Sequence, residues 1–404
     1  MLQHFEEHGV LTNLQHGFRS GFSCETQLLI TTHDILQSFD KKKQQDIVIL
    51  DFSKAFDTVP HDRLLEKLEH MGVHGNLHEW IKAFLTNRSQ SVLVDGVCSS
   101  AVSVDSGVPQ GSVLGPLLFL CHINDLPNRV TSQVRMFADD CLLYREIRSQ
   151  DDHIQLQNDL VSLEQWAEMW GMSFNPIKCY VMRIGRGKKL SDWIYTLCGE
   201  PLEQVETNPY LGVLLSHDTK WAPHIDKITS KANRTIGFLR RNLKKCPEEL
   251  KQTAYISLVR STLEYSCTIW DPHYKKDITK LEAVQRQAAR FVKNDYGWTS
   301  SVTQMLQDLE WQSLETRRRE ARLVLLYKVI HGLVAVPTDG HVSFVPVTTR
   351  ASNTMKLHQY NTDHSSVENS FFPRTIIDWN NLPPEAVKSE TVDVFKSKIN
   401  RMYD

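Results

Sequence analysis

Asp51, Asp139 and Asp140 are the residues whose types and surroundings best suit them for chemistry. Asp51 closes the apolar, β-branched run DIVILD (46–51), and Asp139 and Asp140 stand side by side in MFADDCLLY (136–144). Neighbouring carboxylates in an apolar setting repel one another and are costly to bury without compensation. One reading is that the pair only shapes a turn, as aspartate often does. The other brings all three acids to the ends of neighbouring strands, where a divalent cation offsets their repulsion. Mg²⁺ fits such a place, being hard, oxygen-liganded and held by one or two carboxylates plus substrate phosphates. Two such ions serve phosphoryl transfer, one at the attacking oxygen and one at the leaving oxygen. From the residues alone the two readings stand level.

Several elements must position these acids. DIVILDFS (46–53) reads as a buried strand. QVRMFADDCLLYRE fits two short strands meeting at a hairpin whose tip is Asp139–Asp140. TVPHDRLLEKLEHMGV carries Pro60 in a first helical turn, Leu64, Leu68 and Met71 at helical spacing, and Gly72 at the end. SVLVDGVCSS and AVSVDSG read as strands, with Asp95–Gly96 as a tight turn. GSVLGPLLFLCHINDLP predicts a buried helix capped by Ser112, with Pro116 near its first turn. IQLQNDLVSLEQWAEMWGM is an amphipathic helix with Leu156, Leu160, Leu163 and Ala167 as its stripe, ending near Gly171. CYVMRIG and YLGVLLS (210–216) read as single strands, the pattern beyond 216 turns helical, and the Thr/Ser/Asn-rich residues 345–375 read as loop.

The 404 residues leave room for two or three domains, and 41% hydrophobic with 23% charged residues is ordinary for a soluble globular protein. The sequence has no uninterrupted apolar run of membrane-spanning length, so no membrane partner is expected. The opening MLQHFEEHGV has no basic segment followed by an apolar core, which predicts an unsecreted, intracellular protein. Eight cysteines occur singly without a CxxC, so a zinc knuckle is unsupported and buried, reduced thiols are expected.

The net charge of −2 conceals an asymmetry. Residues 1–216 hold 18 basic and 27 acidic side chains, residues 217–330 hold 21 and 13, and the rest hold 7 and 8. An acidic region beside a basic one suits a cation site next to a polyanion site. In HIDKITSKANRTIGFLRRNLKK, Ile225, Ile228, Ala232, Ile236, Leu239 and Leu243 share one helical face. Lys227, Lys231, Arg234, Arg241 and Lys245 share another. Such a helix suits a phosphate backbone, and an ordinary solvated surface has the same pattern.

The ordered motifs ILDFSKAFDTVPH, SGVPQGSVLGPLLF, FADD, MSFNPIKC and YLGVLLS resemble the palm of reverse transcriptases. More closely, they resemble the polymerase of non-LTR (LINE-type) retrotransposons, the jockey-like branch included, from about residue 11 to 216. The resemblance implies an α+β right-hand polymerase fold. Residual fingers would span 1–45, and the palm 46–216 with an antiparallel sheet and a fingers-side insertion at about 60–105. A helical thumb would span 217–330 and a C-terminal extension 331–404. It implies an RNA-directed DNA polymerase that adds dNTPs to a DNA primer 3′-hydroxyl on an RNA template, in the nucleus or cytoplasm. The cofactor would be two Mg²⁺ ions, with Mn²⁺ as a substitute.

The same resemblance distributes roles among residues. Asp51, Asp139 and Asp140 become the metal triad, with the carbonyl of Phe52 as a further ligand. Phe56 takes the steric-gate position against a ribose 2′-hydroxyl. Gln110 contacts the incoming nucleotide and Gly111 lets backbone approach it. Arg19 in QHGFRSGF grips the triphosphate, and Lys178 in NPIKC protonates the leaving pyrophosphate. Lys227, Lys231, Arg234, Arg241 and Lys245 contact nucleic acid. The chain departs from the family where Cys141 follows FADD in place of the common threonine, in GFSCETQL, and upstream of LTNLQHGF, where the family's first fingers strands have no counterpart. Those departures define a second reading, a weakly active or inactive nucleic-acid-binding remnant of such an element.

Overall fold

The run QQDIVIL is apolar at its centre and rich in β-branched residues, a composition that asks for cover on both faces. In the computed structural model, which describes residues 1–187, 190–346 and 355–403, this run forms β1 (Gln44–Leu50), buried over nearly its whole length. The chain divides into two units, residues 1–27 with 41–206 and residues 28–40 with 207–404. The stretch 28–40 thus groups with the second unit.

In the first unit, β1 is followed by β2 (Arg88–Gln90), β3 (Leu93–Val94), β4 (Val97–Cys98) and β5 (Val102–Val104). Then come β6 (Gln133–Phe137), β7 (Asp140–Ile147), β8 (Tyr180–Ile184), β9 (Thr196–Leu197), β10 (Glu200–Pro201) and β11 (Glu203–Gln204). The main sheet runs β11-β8-β1-β7-β6, antiparallel except for the short β8–β11 edge. The Asp95–Gly96 turn forms as expected, closing β3 on β4 with both residues at positive φ.

Helices cover the sheet. Gln150–Trp170 packs on β7 and buries Leu156, Leu160, Leu163 and Ala167, as its stripe predicts, and Trp166 with them. It opens on a Ser149/Asp152 capping box and ends at Gly171 in the left-handed conformation. Leu114–Ile123 packs against His61–His70; its N-cap is Val113, one residue after the expected Ser112, whose Oγ nonetheless accepts the first-turn Gly115 N–H at 2.9 Å.

Two details differ from expectation. The β6–β7 hairpin closes on the pair Phe137↔Asp140, so its two-residue tip is Ala138–Asp139 and Asp140 opens β7. All eight cysteines are free, but Cys98 and Cys198 are exposed.

In the second unit, YLGVLLS is not one strand. It is the end of β12 (Thr207–Tyr210), a Leu211–Gly212 turn with both φ positive, and β13 (Val213–Ser216). The longest helices after β13 are Ala222–Asn242, Lys275–Lys293, Leu314–Ile330, Phe371–Asn380 and Val392–Tyr403. Asp271 accepts from buried Arg318 Nε at 2.7 Å and Arg322 Nε at 2.9 Å and pairs with Arg374 at 3.1 Å. Three cations around one carboxylate compensate a charge that would otherwise be costly to bury. The loop reading of 345–375 is corrected where Ser365–Glu368 and the start of Phe371–Asn380 are helical; its residues 347–354 lie outside the described residues. Among the described residues no helix is long and apolar enough to cross a membrane.

Candidate active site

Strand register brings the acids together. Leu50 of β1 lies opposite Cys141 of β7 in an antiparallel ladder, so one further step along each chain sets Asp51 beside Asp140. Asp139 occupies the adjoining hairpin tip. The carboxylates feel one another. Asp140 is pushed up to about 6, first by burial and then by Asp139 and Asp51. One side of Asp140 is open to solvent, while enough protein crowds the other to disfavour its charge. Asp51 is also raised, by burial first, with Lys178 opposing the shift and Asp139 adding to it.

The segment after β1 is pinned by the NPIKC region. Ser53 N–H donates to Ser173 C=O and Asn175 N–H to Asp51 C=O, both at 2.8 Å, while Phe52 stacks on Phe174 at 4.5 Å. Lys178 ends the short helix Pro176–Lys178 and places Nζ 3.9 Å from Asp51 Oδ2. The Lys178 assignment therefore falls beside the acids.

Among the described residues, no three His, Cys, Asp or Glu side chains are gathered closely enough to form a metal cage alone. The donor set is oxygen only, from carboxylates crowded enough to raise two of their pKa values. This matches a cation such as Mg²⁺ that takes one or two protein carboxylates and completes its shell with water and phosphate. It does not match zinc, which takes nitrogen and sulfur ligands in a closed structural site.

A second group of residues surrounds Asp57, which the sequence reading passed over. Gln110 is exposed, and its Nε2 donates to Asp57 Oδ1 at 2.8 Å. Ser106 Oγ donates to Asp57 C=O at 2.8 Å. Gly107, at φ +84°, runs so close that an added Cβ would lie 2.7 Å from that same carbonyl oxygen. The loop preceding Gln110 is thereby fixed against the helical turn that carries Phe56, and Val108 N–H donates to Phe56 C=O at 2.8 Å. Gly111 has φ +81° and open space around its Cα, as backbone approach to a ligand requires. The Phe56 ring stacks on Phe119 at 4.2 Å and meets exposed Phe18 edge-on at 6.4 Å, so it is anchored in the core on one side only.

Arg19 is a different matter. Its guanidinium is buried and donates to both Glu6 carboxylate oxygens, at 2.8 and 2.6 Å, and to the Thr12 carbonyl at 2.6 Å. A guanidinium so engaged braces the N-terminal segment and is not presented to a triphosphate, which corrects the gripping role.

In the second unit, Lys227, Lys231, Arg234 and Arg241 are exposed on Ala222–Asn242, while Ile225, Ile228, Ala232, Ile236 and Leu239 are buried. The helix ends at Asn242, so Lys245 lies beyond it and off the shared face.

Comparison with known proteins adds to this geometry. The family model described as reverse transcriptase (RNA-dependent DNA polymerase) matches residues 1–215. The chain is 28% identical over 300 residues to the probable RNA-directed DNA polymerase from transposon X-element of Drosophila melanogaster, covering 71% of this chain and 32% of that one. It is 29% identical over 327 residues to the corresponding protein from transposon BS of the same organism, covering 76% and 35%. To the RNA-directed DNA polymerase from mobile element jockey of Drosophila funebris it is 28% identical over 292 residues, covering 69% and 32%. The chain thus spans about a third of the length of these curated relatives. Among solved structures, apo telomerase from Candida Tropicalis aligns with a TM-score of 0.43 and 10% identity, over 83% of this chain and 52% of that one.

Proposed function

The chain belongs to the reverse transcriptase family, and from that premise we propose that it adds deoxynucleotides to a DNA primer 3′-hydroxyl with RNA as template. The observation that carries this reading is the strand register that sets Asp51 beside Asp140, with Asp139 at the adjoining tip. Asp51, Asp139 and the Phe52 carbonyl would hold Mg²⁺, or Mn²⁺ in its place, with Asp140 completing the negative pocket. Bound there, two ions would lower the barrier to attack at the α-phosphate and neutralise charge on the departing pyrophosphate.

The remaining roles belong to the chain itself. Gln110 and Gly111 offer an amide and an open backbone to the incoming nucleotide, on a loop that Gly107 and Ser106 hold against Asp57. Phe56, backed by Phe119, bars a 2′-hydroxyl. Lys178 places its ammonium beside the acids, where it can supply a proton to the pyrophosphate oxygen as the bond breaks. Lys227, Lys231, Arg234 and Arg241 hold phosphates of the primer–template, and this sequence-blind contact suits an enzyme that copies every sequence. On this reading the first unit is the palm with its attached fingers residues. The second contains the thumb, and the protein works where it meets nucleic acid, in nucleus or cytoplasm.

Primer extension on an RNA template with Mg²⁺ and dNTPs tests the activity. Extension that needs both metal and template supports it, and no incorporation by folded chain that binds the same duplex refutes it. That second outcome would favour a binding remnant, a reading supported by exposed Lys227, Lys231, Arg234 and Arg241 on Ala222–Asn242.

A further inference from the structure

Ala138 is the residue immediately before the candidate metal ligand Asp139, and its backbone sits at φ +52°. Positive φ is unfavourable for any residue with a Cβ, and a two-residue hairpin loop usually puts glycine or asparagine there. An alanine held this way needs an external cause. Gln15 supplies one from 123 residues away. Its Oε1 accepts the Ala138 N–H at 2.8 Å, and its Nε2 donates to the Ala138 carbonyl at 3.1 Å. One side chain thus engages both polar groups of one residue.

The clamp is itself held in place. Gln15 Oε1 also accepts the Gly17 N–H at 2.7 Å, which fixes the amide's orientation because both N–H groups require the oxygen. Leu14 and His16 bracket the hairpin through Met136 N–H to Leu14 C=O and His16 N–H to Met136 C=O, both at 2.9 Å. Gly17 passes so near that an added Cβ would lie 2.4 Å from Ala138 N. Gln15 is 2% exposed and Ala138 6%, so water does not compete for these bonds.

On the polymerase reading above, we propose that Gln15 is the positioning residue for Asp139 and Asp140, locking the left-handed turn that aims their carboxylates. The side-chain type is specific. Glutamate could accept from both N–H groups but could not donate to the Ala138 carbonyl, and it would add a further negative charge near the three acids. Asparagine is one methylene short. Methionine fills the same volume with no hydrogen bonds.

The test compares the parent chain with Gln15→Met and Gln15→Glu, in three measurements. Hydrogen–deuterium exchange without nucleic acid or metal should show the 135–141 segment exchanging about tenfold faster in both variants, with β1 unchanged. Mn²⁺ binding, read by electron paramagnetic resonance on the protein alone, should weaken about tenfold. Extension turnover per active site, from burst amplitude, should fall about tenfold to a hundredfold while KM for dNTP moves less than about threefold. Faster exchange across the whole sheet, or a smaller active fraction with unchanged turnover per site, would mean Gln15 is merely structural. Unchanged exchange at 135–141 with unchanged Mn²⁺ affinity would also overturn the proposal. Exchange and Mn²⁺ binding need no polymerase activity, so a parent chain that fails to extend primers refutes the polymerase reading while these two still decide the role of Gln15.

Discussion

Lys178 Nζ lies 3.9 Å from Asp51 Oδ2, and it is the cation that opposes the rise in the Asp51 pKa. The two meet because Asn175 N–H donates to the Asp51 carbonyl, which draws the NPIKC segment across the end of β1. Lys178 is 65% exposed and the pair is open to solvent, so it adds little stability. Lys178→Ala should therefore leave the melting temperature nearly unchanged. Turnover in primer extension should fall about a hundredfold, the lower range for a lost general acid. Carbon-13 titration of the metal-free variant should show the Asp51 carboxyl shifted further upward. Normal turnover would reduce Lys178 to a surface lysine.

Phe56 has two duties that one substitution separates. Its stacking on Phe119 supports the core, and on the proposed reading its ring also meets the sugar. Phe56→Val should cost about 1–2 kcal/mol of stability, less than a fully buried large-to-small change. It should also raise ribonucleotide incorporation relative to deoxynucleotide at least tenfold in competition assays. Destabilisation with an unaltered sugar ratio would leave Phe56 as core alone.

Lys67 predicts a pH dependence remote from the site. Its ammonium is buried, donates to the His122 carbonyl and Asp125 at 2.5 Å, and sits 3.8 Å from the Trp170 ring centre. Burial lowers its pKa from 10.5 to about 8, against the pull of Asp125. Between those values the unfolded chain holds the proton more often than the folded one, so stability rises with pH across that window. The full rise is on the order of 3 kcal/mol, and the indole faces, which favour the cation, shorten the window at its lower end. Denaturant midpoints between pH 7.5 and 10.5 should climb for the parent and stay flat for Lys67→Met, relative to the shared background. Parallel curves would show that Lys67 does not govern the slope.

The cationic face of Ala222–Asn242 should act on affinity without acting on fold. Lys227, Lys231 and Arg234 are exposed, and the anchoring side chains are on the other face. Changing all three to alanine should weaken duplex binding equally for unrelated sequences. The slope of log affinity against log salt should flatten by about two to three units. An unchanged slope would make this face ordinary solvated surface.

Much of the sheet was legible because its signals are local. The β-branched run of β1, the stripe of Gln150–Trp170 with Gly171 after it, and the Asp95–Gly96 turn each declare themselves within a few residues. What escaped depends on partners distant in sequence. Asp139–Asp140 looked like a hairpin tip because aspartate favours turns, yet the tip is Ala138–Asp139, held by Gln15 from far upstream. Arg19 matched a motif, but the sequence pattern did not disclose that Glu6 folds back to occupy it. Lys245 continued the helical period, but the helix stops at Asn242, with Pro247 a few residues on. YLGVLLS was apolar enough for one strand, and its Leu211–Gly212 centre made it a hairpin. In each case a tertiary contact or a backbone turn outweighed the local pattern.

The most direct test is Mg²⁺-dependent addition of a single dNTP to a primer on an RNA template, comparing the parent chain with Asp139→Asn. Asparagine keeps the size of the side chain at the hairpin tip and removes the charge a cation would require, so circular dichroism and the melting temperature should match the parent. Incorporation should fall by at least about a thousandfold, the order expected when a charged group stabilising a phosphoryl-transfer transition state is lost. Incorporation by Asp139→Asn at the parent's rate, in a chain of equal stability, would contradict the assignment of Asp51, Asp139 and Asp140 as the centre of the chemistry.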